Sequence, residues 1–267
     1  MKLNYQRQGN GEPLLLIHGT GSHLQMWEPV IGRLARERDV IAVDLPGHGK
    51  SPLVPAGMAP TAATFAVLLT EMLDELGIST AHVAGNSMGG WTALEMAKLG
   101  RVRSVVALSP AGLWRQQAPL YDRLFFRWNY ALLQLIGGLV QPAVWSALGR
   151  VLFLSTTVGR AWQMPARAAQ GMIYAFAHTR GFDEHLRAVV RIRFQGGQGI
   201  SASVPVTVAW GGKDRLLLPW QSRRKDELPQ HTRWITLPGC GHVPTYDNPE
   251  LVARVILSTG RGEMALI

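Results

Sequence analysis

A single cysteine, Cys240, rules out any intramolecular disulfide in this chain, and nothing points to a secreted disulfide scaffold or a thiolate metal site. The opening stretch "MKLNYQRQGNGEPLLLIHG" lacks the charged n-region, long apolar h-region and small-residue cleavage site of a signal peptide, so the cytoplasm is the expected location. No uninterrupted apolar run reaches membrane-spanning length. The nearest, Tyr130 to Gly149, is broken by Gln134, Gln141 and Pro142, and reads as buried or interfacial helices. Zinc-finger spacing, RNP motifs and lysine-rich runs are missing, so the net charge of +9 does not indicate a nucleic-acid partner. Histidine–carboxylate spacings that suggest a metal site are missing too, and neither metal nor cofactor is expected. A hydrophobic fraction of 47% against 17% charged residues argues against disorder, except at the last residues, "STGRGEMALI".

What is present is an alternation. Short apolar runs rich in β-branched residues, "PLLLIHG", "DVIAVDLPG", "AHVAGNS", "RSVVALSP", "VPVTVAWG" and "TRWITLP", read as parallel strands. Between them "LQMWEPVIGRLARE", "TAATFAVLLTEMLDELG" and "MGGWTALEMAKLG" have helical spacing. The expected architecture is α/β: a mostly parallel sheet covered on both faces. The rhythm stops after "SVVALSPAG" and resumes at "VPVTVAWGG", leaving a segment too long for one loop. Helical patterns such as "DRLFFRWNYALLQLIG" and "DEHLRAVVRIRF" make it a helical cap, residues 113–203, inserted into a core of 1–112 and 204–267. The cap carries ten arginines, no lysine and three acids, with four tryptophans and every phenylalanine except Phe65. It reads as an apolar roof, Phe126 and Trp128 among its substrate-facing aromatics, with a basic outer surface open to peripheral contact with anionic surfaces.

The chemistry lies at strand ends. "VAGNSMGGWTALEMA" sets Ser87 between a strand and a helix, with glycines at 85 and 89 making room for an exposed serine in a strained turn. A serine hydroxyl is a poor nucleophile and needs a base, which needs an orienting carboxylate. His242 in "LPGCGHVPTYDNPE" and Asp214 in "VTVAWGGKDRLLLP" both follow strands, at the edge where open parallel sheets bind ligands. Acyl transfer also generates an oxyanion, and the glycine-rich turn "LLLIHGTGSH" offers the Thr20 N–H to pair with that of Met88. His18 and His48 read as loop-structuring residues, Cys240 as a small packed side chain, and Trp91 as packing behind the turn. Trp27 and His23 follow the oxyanion loop and could touch substrate.

In this order "HGTG", "DLPGHGKS", "GNSMGG", "GGKD" and "GCGH" resemble the α/β-hydrolase superfamily over essentially the whole chain. The resemblance implies the α/β-hydrolase fold, a serine attacking a carbonyl, a histidine shuttling the proton and a cap shaping the site. Serine at the elbow is unlike haloalkane dehalogenases and epoxide hydrolases, which have aspartate there. "GNSMGG" also resembles the elbow of the meta-cleavage carbon–carbon hydrolases, whose asparagine, here Asn86, helps the substrate site. The loop "HGTGSH" and Val243 depart from that subfamily, and "HVPTYDNPE" looks more like carboxylesterases. The expectation is a cofactor-independent serine hydrolase of small-molecule esters with apolar acyl groups. Carbon–carbon hydrolysis, acyl transfer and a ligand-binding receptor on the same fold are the alternatives.

Overall fold

The computed structural model describes residues 1–263. Its strands are β1 (Tyr5–Gln8), β2 (Glu12–Ile17), β3 (Arg38–Val43), β4 (Ala81–Asn86), β5 (Val102–Leu108), β6 (Val206–Gly211) and β7 (Arg233–Leu237). They form one sheet in the order β1-β3-β2-β4-β5-β6-β7, with every pairing parallel except β1 against β3. The six expected strands are all present. The seventh, β1, is a short exposed edge strand of sequence YQRQ, which has no apolar residue at alternate positions for a pattern to show.

The period of two explains the double cover. Leu14 and Leu16 point into a core with Trp27, Val30 and Leu34, from α1 (Glu28–Leu34) and the 3-10 turn before it, and with α9 (Pro249–Gly260). Leu15 and Ile17, one residue out of phase, join Phe65, Leu69, Trp91 and Leu94 of α2 (Ala62–Glu75) and α3 (Met88–Lys98) on the other face. Because α9 continues through Gly260, the first part of "STGRGEMALI" is helical, contrary to expectation. Residues 264–267 lie outside the described residues.

Between β5 and β6 the described residues contain no strand. The long apolar periodicities instead make α4 (Leu120–Ala143), α5 (Ala147–Leu154), α6 (Ala166–Ala177) and α7 (Phe182–Val189). The pattern "DEHLRAVVRIRF" overruns α7, which ends at Val189, and Phe194 is then tied to the body by its N–H donating to the Gly112 carbonyl. A one-turn α8 (Pro219–Ser222) follows β6. Leu133, Val140, Val144, Leu154 and Ile173 give the α4–α6 layer a core of its own. No described helix is long and apolar enough to cross a membrane.

What positions the site is the tight passage from β4 into α3. A Cβ on Gly89 would overlap the carbonyl oxygen of Ile17 at the end of β2, and one on Gly85 would overlap that of Gly89. Gly89→Ala is therefore expected to lose about 3 kcal/mol, a fall in Tm of roughly 10 °C in a chain of this size. Gly32→Ala, in α1 with open space around it, should be neutral or stabilising. Thermal unfolding of the two variants checks this, and equal Tm values would contradict the close approach.

Candidate active site

Ser87 occupies the turn between β4 and α3 at φ 55°, ψ −116°, a backbone conformation that costs a non-glycine residue on the order of 1–3 kcal/mol. Three hydrogen bonds hold it there: the Ser87 N–H donates to the Leu108 carbonyl at 2.9 Å, and the Ser87 carbonyl accepts from the N–H groups of Trp91 (3.1 Å) and Ala111 (3.0 Å). Trp91 packs behind the turn, buried, with its indole N–H on Glu95. Ser87 lines a cavity together with His242.

His242 and Asp214 meet although 28 residues separate them. His242 Nδ1 donates to Asp214 Oδ2 at 2.9 Å, and Asp214 Oδ1 accepts from the N–H groups of Leu216 (3.0 Å) and Leu217 (2.9 Å). Burial alone would raise the Asp214 carboxyl, but the His242 ring and those two N–H groups outweigh it and hold the group below the ordinary carboxylate value. An ionised Asp214 places the ring proton on Nδ1, which leaves a lone pair on Nε2. That atom is buried without a hydrogen-bond partner among the described residues.

The loop carrying His242 is clamped by a residue that the sequence did not single out. Asp247 accepts from the N–H groups of Gly241 (2.7 Å), Gly159 (2.9 Å) and Arg160 (2.6 Å), and Val243 N–H donates to the Thr157 carbonyl at 2.8 Å. In the sequence, "DNPE" reads only as a helix start, with Asn248 capping α9. Asn86 serves the same loop: its amide donates to the carbonyls of His242 (2.8 Å) and Leu108 (3.1 Å).

Met88 is the first residue of α3, so its N–H has no acceptor within the helix. Thr20 stands across from it on the loop after β2, where a Cβ on Gly19 would come within 3.0 Å of the Ser87 Cβ. The Thr20 hydroxyl is held at 2.9 Å by Nε2 of His185, from α7, whose Nδ1 lies 2.8 Å from the Pro60 carbonyl. A carbonyl only accepts, so Nδ1 carries the proton and Thr20 donates to Nε2. Burial keeps His185 neutral by lowering it to about 4. His18 is structural, with Nε2 accepting from Leu45 N–H at 2.9 Å and burial lowering it to about 3. His48 likewise structures its loop through the Pro46 carbonyl.

The lining of the cavity shared by Ser87 and His242 is mostly apolar: Phe125, Phe126, Leu133, Phe153, Ile173 and Phe176 are among its walls. Two expected substrate contacts are corrected. Trp27 is fully buried between α1 and α9, on the far side of the sheet from α2 and α3, and does not line the cavity. Trp128 is 70% exposed, because two residues along a helix turn it about 200° away from Phe126. A smaller cavity shares Ser87, Thr20 and Phe126 and is also lined by Met88 and Asp122. Asp122, on α4, is 3% exposed and neither carboxyl oxygen has a hydrogen-bond partner among the described residues. Burial pushes it up to about 7, against the pull of His242 and with the repulsion of Asp214. Among the described residues no group of His, Cys, Asp and Glu is arranged to hold a metal ion.

Comparison with known proteins agrees with this geometry at the level of the fold. The profile of the alpha/beta hydrolase family matches residues 14–255. An epoxide hydrolase of Mycobacterium tuberculosis is 31% identical over 206 residues, covering 74% of this chain and 94% of the relative. The dihydrolipoyllysine-residue acetyltransferase component of the acetoin cleaving system of Pseudomonas putida is 30% identical over 259 residues; 93% of this chain is matched, and it spans 63% of that relative's length. Among solved structures, the meta-cleavage product hydrolase of Pseudomonas fluorescens IP01 superposes with a TM-score of 0.73 at 20% identity, covering 97% of this chain and 94% of the other.

The raised Asp122 has a consequence for stability. An unfolded aspartate releases its proton near pH 4, whereas the folded one keeps it to about pH 7, so its contribution to stability declines across that window and is level above it. Asp122→Asn, which cannot ionise, should gain Tm over the parent by a margin that grows from about pH 5 to about pH 8. Thermal melts across this range test it, and a constant margin would contradict a carboxyl buried without a partner.

Proposed function

This chain belongs to the alpha/beta hydrolase family, and from that premise we propose that it is a serine hydrolase cleaving carboxylic esters with apolar acyl groups through an acyl-enzyme. The observation that carries the reading is the buried His242, its Nδ1 fixed by Asp214 and its Nε2 lone pair unpartnered in a cavity wall shared with Ser87. Ser87 Oγ attacks the ester carbonyl carbon while His242 Nε2 takes the hydroxyl proton. Asp214 stabilises the resulting imidazolium, and the N–H groups of Thr20 and Met88 receive the oxyanion. The carbonyl re-forms, the bond to the alcohol oxygen breaks, and His242 returns the proton to that oxygen. Water then repeats the sequence on the acyl-enzyme: its proton goes to His242, its oxygen to the acyl carbon, and Ser87 leaves with the proton restored. Residues 113–203 serve as a lid over the core of 1–112 and 204–267.

Apolar walls favour an apolar acyl group. Serine at the turn argues against epoxide opening, despite the name of one relative, since it would leave an alkyl ether with no carbonyl for water to attack. Carbon–carbon cleavage of a dienol needs polar groups to move a second proton and hold a carboxylate. Asn86, the side chain expected to help there, spends its amide on two backbone carbonyls.

The test is turnover of p-nitrophenyl esters of increasing acyl length beside a ring-fission dienoate. Ester hydrolysis should dominate, and Ser87→Ala should lose on the order of 10⁴-fold or more in kcat. Cleavage of the dienoate with a fast ketonisation phase and higher efficiency than any ester, or an active Ser87→Ala enzyme, would overturn the reading.

A further inference from the structure

Helix α4 has two apolar faces, and only one of them is covered. Its inner face supplies Phe125, Phe126, Asn129 and Leu133 to the cavity above Ser87. Its outer face presents Leu124, Trp128, Leu132, Leu135 and Leu139 at spacings of three and four, a single stripe along the helix. Leu135 is 82% exposed, Leu139 73% and Trp128 70%. The stripe is extended by α5, which packs against α4 and exposes Leu148 by 78% and Leu152 by 71%. Trp145 and Trp162, both exposed, are joined by Arg150, whose guanidinium donates to the carbonyls of Trp145 (2.9 Å) and Trp162 (3.1 Å).

Each such leucine leaves apolar surface in water that a cover would remove favourably. A contiguous ridge of them, with tryptophans at its border, marks a surface meant to be covered. Its electrostatics distinguish the possible covers. From Arg123 to the end of α4 the helix has no acidic residue, and the segment 113–203 holds ten arginines against three acids, one of them the buried Asp122. Arg127 lies on the outer face, and Arg167 is exposed on α6, which packs against α4. A second copy of this chain docked through the same face would bring like charges such as Arg127 together with no exposed acid on α4 to pair them, which costs binding energy. An anionic lipid surface has the opposite charge and accepts apolar side chains beneath its headgroups. No described helix can span a bilayer, so the arrangement fits lying on a membrane rather than crossing it.

We propose that the outer faces of α4 and α5 dock on an anionic lipid surface, with the leucine ridge among the acyl chains and the arginines against the phosphates. Because the opposite face of α4 walls the cavity, docking places lipid-dissolved esters beside the helical layer that encloses it. This identification of substrate class rests on the ester-hydrolase reading above; the docking itself does not.

Flotation with vesicles of phosphatidylcholine alone and of phosphatidylcholine with one part in three phosphatidylglycerol tests the docking, beside light scattering for oligomeric state. The wild-type chain should float with the anionic vesicles and release as salt rises, since exposed charge is screened over about 10 Å at 0.1 M and about 3 Å at 1 M. Leu135→Glu combined with Leu139→Glu should weaken partition at least about tenfold, with turnover of a water-soluble acetate ester unchanged. Arg127→Glu should lower binding to anionic vesicles only. Failure of the wild type to float at low salt, or flotation of the double variant like the wild type, would overturn the proposal. A wild-type dimer that the double substitution splits, with no vesicle binding, would overturn it in favour of a second copy. Flotation without ester turnover would uphold the docking and remove the substrate assignment.

Discussion

The rest of the molecule depends on the closeness of two backbones, where α3 begins against the end of β2. Only glycine fits at 85 and 89, because a methyl group at either would enter a carbonyl oxygen. That contact forces the chain to turn within three residues, and the turn sets Ser87 at a positive φ. It also brings the first N–H of α3 next to the loop after β2, so the serine and two backbone donors share one end of the sheet. The strain at Ser87 is offset by the hydrogen bonds of its own backbone to Leu108, Trp91 and Ala111. Position, strain and electrostatics are thus consequences of one packing constraint.

The layer over the sheet is not a passive cover. His185 of α7 accepts a hydrogen bond from the Thr20 hydroxyl, and Asp247 ties the His242 loop to the N–H groups of Gly159 and Arg160, between α5 and α6. The loop after β2 and the loop carrying His242 are therefore both fastened to the segment that also supplies the cavity walls. A movement of α4–α7 would be felt at two of the groups proposed to do the chemistry. The unpaired carboxyl of Asp122 sits at the same junction, on the helix whose other side carries the exposed ridge.

Much of this was legible in the sequence, for stated physical reasons. Parallel strands buried on both faces read as apolar runs, and Ser87, Asp214 and His242 each stand just past such a run, where chemistry in an open sheet collects. Edge strand β1 was not legible, because YQRQ has no buried face. His185 and Asp247 were missed because each works through a partner distant in sequence that only the tertiary fold supplies, and Asp122 because only the tertiary fold buries its carboxyl without a partner among the described residues. Asp247 differs in one respect: its contact with Gly241 is local, but "DNPE" already had a sufficient explanation as a helix start. Trp27 and Trp128 erred in the other direction. Nearness in sequence to the loop after β2 did not prevent Trp27 from turning toward α9, and a helical segment expected to roof the site has a far side on which Trp128 lies.

The central claim is a covalent acyl intermediate on Ser87, and mass spectrometry of enzyme quenched in acid during turnover of a slow p-nitrophenyl ester tests it most directly. The account predicts a mass gain equal to the acyl group, confined to the peptide containing Ser87 and absent from Ser87→Ala. An acyl group carried on any other residue, or steady turnover with no adduct while p-nitrophenol is released in a burst, would contradict it.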